Sequence, residues 1–89
     1  MKESKDLLLV EIITPEGIFY NKMAHMIVMP GIKGEFGVMR GHIPLLVQLQ
    51  PGLVTIYENK EQERISIADG YVEITEDKVI MLVEKASNS

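Results

Sequence analysis

Residues 30–46 of the chain read PGIKGEFGVMRGHIPLL, with glycine at positions 31, 34, 37 and 41. Glycine adopts positive φ without a steric penalty and lets another backbone approach closely. A phosphate-binding loop is excluded, because the segment has neither a Gly-Lys-Ser/Thr sequence nor G-x-G-x-x-G spacing. We therefore predict a tightly turned docking surface that presents Glu35 and His42; two consecutive ordinary turns are the alternative. The residues expected to shape this surface are Gly31, Gly34, Gly37 and Gly41.

On both sides of this segment, short apolar runs alternate with turn residues. Strands are expected at residues 7–13, 18–20, 26–29, 43–49, 53–57, 64–68, 71–75 and 79–83. Turns are expected at 14–17, 21–22, 30–31, 50–52, 58–63, 69–70 and 76–78, and residues 84–89 are expected to form a frayed tail. Pro44 places its run at a strand start or a sheet edge. No helical periodicity survives the prolines and glycines, so this spacing predicts an all-β sandwich or barrel.

The composition limits the function further. The chain has 89 residues, which predicts one domain over residues 1–89 with an ordered core at 7–86. Its net charge of −4 argues against nucleic-acid binding, and the absence of cysteine excludes disulfides and thiolate metal sites. No apolar stretch approaches the roughly 18 residues that would cross a bilayer. The polar, acid-containing N-terminus resembles neither a signal peptide nor a transit sequence.

Two apolar runs are continuous rather than alternating. Residues 7–10 and 80–83 have apolar side chains at every position, which is typical of strands covered on both sides. This predicts two packed sheets plus one outer apolar face that needs a partner. By contrast, His25, His42 and Glu35 have no spacing that predicts a metal site, and no histidine is paired by spacing with a second acid–base group. The sequence therefore predicts no enzyme, metal or cofactor.

The order of the short motifs resembles one family, the epsilon subunit of the F-type ATP synthase. The resemblance runs from Leu7 to about Ala86 and depends on five motifs in the right order and spacing. They are Thr14-Pro15-Glu16-Gly17, Pro30-Gly31-x-x-Gly34-Glu35-x-Gly37, Gly41-His42-x-Pro44-Leu45-Leu46, Gln50-Pro51-Gly52 and Asp69-Gly70-Tyr71-Val72-Glu73.

This resemblance implies a flattened β-sandwich of about ten strands at the foot of a rotating central stalk. The domain would dock on the gamma subunit and touch the polar loops of the membrane-embedded c-ring, which carry a basic and an amide side chain. It would perform no chemistry and would transmit ion-driven rotation to the catalytic head. The implied location is peripheral, on the cytoplasmic face of a bacterial inner membrane.

The resemblance also implies site residues. For the c-ring contact we expect Glu35, Arg40 and His42. For gamma docking we expect Met39, Ile43, Pro44 and Leu45, with Phe19 and Tyr20 as weaker candidates.

Two departures from the family pattern stand out. The sequence stops at Ser89, directly after the last expected strand and before the two C-terminal helices that restrain ATP hydrolysis in many members, so we expect either a naturally short form or a truncated chain. Arg40 stands where proline or asparagine is common, and Asp69 replaces a frequent glycine.

One alternative comes from another class of protein. Lys78 follows Glu76-Asp77 in an expected hairpin, and lipoyl- or biotinyl-carrier domains present a modifiable lysine at a hairpin tip. An unrelated β-sandwich binding module is a third possibility.

Overall fold

The computed structural model describes residues 6–89, and in that range the chain forms ten strands and no helix. The predicted all-β fold of about ten short strands is confirmed. In chain order the strands are β1 Leu8–Thr14, β2 Gly17–Ala24, β3 Met26–Gly31, β4 Gly34–Met39, β5 Leu45–Leu49, β6 Gly52–Glu58, β7 Glu61–Ile67, β8 Gly70–Ile74, β9 Lys78–Val83 and β10 Ala86–Asn88.

The strands form one continuous sheet that folds over into a sandwich of two layers. The first layer has the order β4-β3-β6-β7-β10, and the second has the order β5-β8-β9-β1-β2. The layers are joined where Gly31 of β3 pairs with Leu49 of β5. Within the second layer β1 and β9 run parallel, whereas its other neighbours are antiparallel.

Three pairs of consecutive strands, each joined by a two-residue bend, make most of the sandwich. The bends lie at residues 50–51 between β5 and β6, at 68–69 between β7 and β8, and at 84–85 between β9 and β10. Each pair therefore contributes one strand to each layer. Gly70 lies at the second bend, where a Cβ atom would overlap the Leu82 carbonyl oxygen and lie 2.8 Å from the Val83 Cα. Only glycine fits this close backbone approach.

The core lies between the two layers. Strand alternation sends every second side chain inward, as in β8, where Val72 and Ile74 are buried and Tyr71 and Glu73 are exposed. Both layers contribute, and no polar or charged side chain is buried among the described residues. The seventeen buried apolar side chains are Leu8, Val10, Ile12, Ala24, Ile27, Met29, Val38, Leu49, Val54, Ile56, Ile65, Ile67, Val72, Ile74, Val79, Met81 and Val83.

Several expected boundaries are wrong. The expected turn at residues 21–22 lies inside β2, an edge strand, where polar side chains point to solvent at little cost. The expected loop at 58–63 shrinks to a turn at Asn59-Lys60, with Asn59 at a φ of 56°. The expected frayed tail contains β10. This strand pairs with β7 because the bend at residues 84–85 carries the chain to the edge of the first layer.

Candidate docking surfaces

The glycine-rich segment forms a hairpin beside an open groove. Strands β3 and β4 are joined by a two-residue loop, Ile32-Lys33, and pair from Met26 with Met39 to Gly31 with Gly34. The segment therefore contains a regular strand, β4, which the prediction of a turned surface missed. A groove of about 680 Å³ lies between this hairpin and β5, lined by residues 31–37, His42 and residues 45–48.

The structure brings Glu35 and His42 to this one groove. Glu35 is exposed on β4, whereas His42 is half-buried in the connection to β5. The Nδ1 atom of His42 lies 2.7 Å from the Ile43 carbonyl oxygen. A carbonyl has no proton to give, so Nδ1 donates, and in the neutral ring Nε2 is left as an acceptor. The groove thus offers a carboxylate and an imidazole nitrogen as hydrogen-bond acceptors, beside the Lys33 ammonium and the Gln48 side-chain amide that also line it.

The connection between β4 and β5 is tied to the second layer. Arg40 donates from Nη1 to the Leu7 carbonyl oxygen over 3.3 Å, and the Gly41 amide donates to the Glu76 carbonyl oxygen over 2.8 Å. Arg40 does not line the groove with Glu35 and His42.

The four glycines differ in their local geometry. Gly34 and Gly41 have φ values of +133° and +95°, which L side chains rarely adopt. At Gly31 a Cβ would lie 2.8 Å from the Gly34 carbonyl oxygen, so the hairpin closes only around glycine. Gly37 lies within β4 and not in a loop, and a Cβ there would make an ordinary contact of 3.6 Å with Val28 Cγ2.

The four apolar residues expected to dock on gamma are all exposed, but they do not share one face. Met39 pairs with Met26 on the outside of the first layer. Ile43 and Pro44 lie in the connection, and Leu45 lines the groove. The weaker candidates Phe19 and Tyr20 pack partly against the core.

An apolar row on the outside of the second layer was not located from the sequence. Ile13 pairs with Ile18 of β2 and with Leu82 of β9, and Leu82 pairs with Tyr71 of β8. We call Ile18, Ile13, Leu82 and Tyr71 the apolar stripe. Exposed fractions are 62% for Ile18, 56% for Leu82 and 53% for Tyr71.

The apolar character continues beside the stripe. Leu46 of β5 is 72% exposed, and Ile80 and Leu9 are half-buried on the same outer face. The run of apolar residues at 79–83 was the available signal, because alternate members of a strand point to opposite faces. The predicted outer apolar face is thus found on the second layer.

A separate polar cluster closes one side of the sandwich. Tyr20 of β2 donates from Oη to Glu63 Oε1 of β7 over 3.3 Å, and Lys22 Nζ lies 4.0 Å from the same oxygen and 5.6 Å from the centre of the Tyr20 ring. Burial, followed by the nearby Glu63 and Glu58 carboxylates, raises the pKa of Tyr20 to about 12. These contacts join an edge strand of one layer to the other layer.

The remaining sequence candidates have structural positions. Lys78 is the first residue of β9 and pairs with Leu9, so it does not occupy a protruding hairpin tip of the kind a carrier domain needs. His25 accepts a hydrogen bond at Nδ1 from the Asn59 amide over 3.1 Å, at the β6–β7 turn. It lies outside the groove that contains His42. Residues 6–89 form no helix that could span a membrane.

Comparison with known proteins gives one consistent result. A family model described as the ATP synthase, Delta/Epsilon chain, beta-sandwich domain matches residues 7–89. The chain is 47% identical over 79 residues to the ATP synthase epsilon chain of Campylobacter fetus, covering 86% of this chain and 60% of the relative. It is 39% identical over 77 residues to that of Rhodospirillum rubrum, covering 85% and 58%. The chain thus spans about three-fifths of the length of these curated relatives.

Solved structures share the fold. A chain in the Euglena gracilis mitochondrial ATP synthase, in a structure of OSCP, F1 and c-ring, superposes with a TM-score of 0.86 at 18% identity, covering 92% of this chain and 53% of that one. A chain in the Tetrahymena thermophila mitochondrial ATP synthase, in a structure of central stalk and c-ring, gives 0.74 at 16% identity, covering 91% and 66%.

Proposed function

This chain belongs to the family of ATP synthase delta/epsilon β-sandwich domains, and on that premise we propose that it is a rotor linker that holds the gamma subunit to the c-ring. The two solved structures compared above both include a c-ring, and one of them includes the central stalk. The work is mechanical, and no residue acts as a catalyst. The domain would lie peripherally at the cytoplasmic face of a bacterial inner membrane, held there by its partners.

We place the c-ring contact at the groove of the β3–β4 hairpin. Glu35 and the Nε2 atom of His42 both accept hydrogen bonds, which suits a ring loop that carries a basic and an amide side chain, since both of these donate. Arg40 lies on the same connection as His42 and is placed at the border of this contact. An exposed ion pair is worth only about 0–1 kcal/mol, so Glu35 would mainly orient the ring loop.

We place gamma on the outer apolar face of the second layer. The apolar stripe is the observation that carries this assignment, because it spans four neighbouring strands and no described residue covers it. Contiguous exposed apolar surface of this kind marks an interaction site. Leu46 borders this face, and we extend the gamma contact to Ile43 and Pro44 in the connection that precedes β5. Leu45 pairs with the buried Ile74 and lines the hairpin groove, so it would contact gamma only where the groove meets this face.

Met39 lies on the other layer and would make a separate contact with gamma. With this division the hairpin groove faces the c-ring, and the outer face of the second layer holds most of the gamma contact. A stable complex of this kind should bury about 1,200–2,000 Å² in total.

A matched pair of variants tests the gamma assignment. The double variant Tyr71→Ser with Leu82→Ser removes the two exposed anchors of the stripe, whereas Leu53→Ser removes an apolar side chain that is 43% exposed on the first layer. We expect the double variant to lose at least tenfold in affinity for a co-expressed gamma subunit, because buried anchors typically cost more than about 1 kcal/mol each. Leu53→Ser should bind like the unmodified chain. Equal binding by both variants would refute the assignment.

A further inference from the structure

Carboxylates border the apolar stripe on both sides. On one side Glu11 of β1 and Glu73 of β8 both pair in register with Ile80 of β9, so they lie on the outer face about 10 Å apart, two strand spacings. On the other side Asp69 and Glu84 line a groove of about 590 Å³ together with three members of the stripe. The stripe therefore lies between two pairs of acids.

These four carboxylates are not neutralised within the described part of the chain. Among residues 6–89 the one ion pair within 4.0 Å joins Lys22 to Glu63, at a different site. Glu11 Oε2 accepts a hydrogen bond from the uncharged side-chain Nδ2 of Asn21 over 2.9 Å. In the same part of the chain, Glu73, Asp69 and Glu84 take part in no side-chain hydrogen bond.

The nearby cations within residues 6–89 do not offset this charge. Lys78 lies on the same face but one row beyond Ile80, where it pairs with Leu9. Lys85 lines a different groove, with Ala68 and Ser87. Counting only residues 6–89, four carboxylates thus share this surface with one ammonium group.

We propose that the gamma surface docked on this face has an apolar ridge flanked on both sides by lysine or arginine. The ridge fits the stripe, and the cations reach Glu11 and Glu73 on one side and Asp69 and Glu84 on the other. This inference rests on the proposed function, because it specifies the chemistry of the same contact. Charges at the rim of an interface act mainly on the association rate and on register.

The proposal can be tested by measuring the rate at which the chain associates with the purified gamma subunit of the same synthase, at several salt concentrations. The fourfold variant carries Glu11→Gln, Glu73→Gln, Asp69→Asn and Glu84→Gln. The control is Glu58→Gln with Glu61→Gln, two exposed carboxylates that flank the β6–β7 turn in the other layer. If the fourfold variant does not fold, as judged by its melting curve, the two double variants, one for each side of the stripe, replace it.

We expect association of the unmodified chain to slow as salt is raised. The fourfold variant should associate about tenfold more slowly at low salt, with a flatter salt dependence, while the control stays within about twofold of the unmodified chain. If the unmodified chain and the fourfold variant associate at the same rate with the same salt dependence, the basic flanks are refuted while gamma docking stands. If the unmodified chain does not bind gamma at any salt concentration, the proposed function itself fails and this inference fails with it.

Discussion

Replacing Gly70 by alanine should destabilise the sandwich, because a Cβ atom there would have a shorter contact than at any other glycine of the described residues. Gly70 is at the bend between β7 and β8, and it pairs with Leu49 on one side and with Val83 on the other. The new Cβ would overlap the Leu82 carbonyl oxygen and approach the Val83 Cα to 2.8 Å. Both obstacles are backbone or near it, so no side-chain rotation relieves the overlap.

The loss of stability depends on how far β9 must move to relieve the overlap. Relief requires β9 to shift by about 1 Å, and overpacking of this kind typically costs about 1–3 kcal/mol. We expect the upper end, about 3 kcal/mol, because β8 lies between two hydrogen-bonded neighbours. For a domain of this size that lowers the melting temperature by about 12–24 °C. The total stability expected for 89 residues is about 4–13 kcal/mol, so the variant should still fold at low temperature.

Gly37→Ala is the matched control. Gly37 also lies in a strand, but its φ is not positive and its Cβ would meet Val28 Cγ2 at an ordinary 3.6 Å. Restricting the unfolded chain should make this variant neutral or about 0.4–1 kcal/mol more stable. Urea titrations and thermal melts followed by circular dichroism give both values. If Gly70→Ala unfolds at the same temperature as Gly37→Ala, the close approach at the bend is wrong.

Three further predictions concern the hairpin end and the side of the sandwich. The Tyr20 pKa of about 12 exceeds the usual 10, so the unfolded chain loses this proton first and the stability of the fold should decrease as pH rises from about 10 to 12. Thermal melts at several pH values should show that Tyr20→Phe removes this part of the pH dependence. An unchanged pH dependence in Tyr20→Phe would contradict the prediction. Glu35→Lys should weaken association with the c-ring while moving the melting temperature by no more than a few degrees, since reversing an exposed charge costs little stability; a large drop in melting temperature would show that Glu35 is structural. Gly41→Val should cost about 1–3 kcal/mol of stability, since φ is +95° there, and a melt equal to that of the unmodified chain would refute the strain.

Much of the fold could be read from the chain. Alternation and turn residues predict strands near most of the observed ones, because both signals are local. Strand β4 was missed because the glycines at 34 and 37 look like turn residues, although Phe36 and Val38 point inward with a period of two. Strand β10 was missed because Ala86–Asn88 has little strand propensity of its own, and its pairing with β7 is a tertiary contact.

The docking surfaces, too, were predicted from the sequence only in part. The sequence by itself determined that an outer apolar face exists, since residues 79–83 are apolar on both sides of a strand. Only the tertiary structure decided that Ile13, Ile18, Tyr71 and Leu82 form one row, because the parallel pairing of β1 with β9 and its register bring these distant positions together. A local period of two assigns each residue to a face of its own strand, but it carries no information about which strand lies beside it.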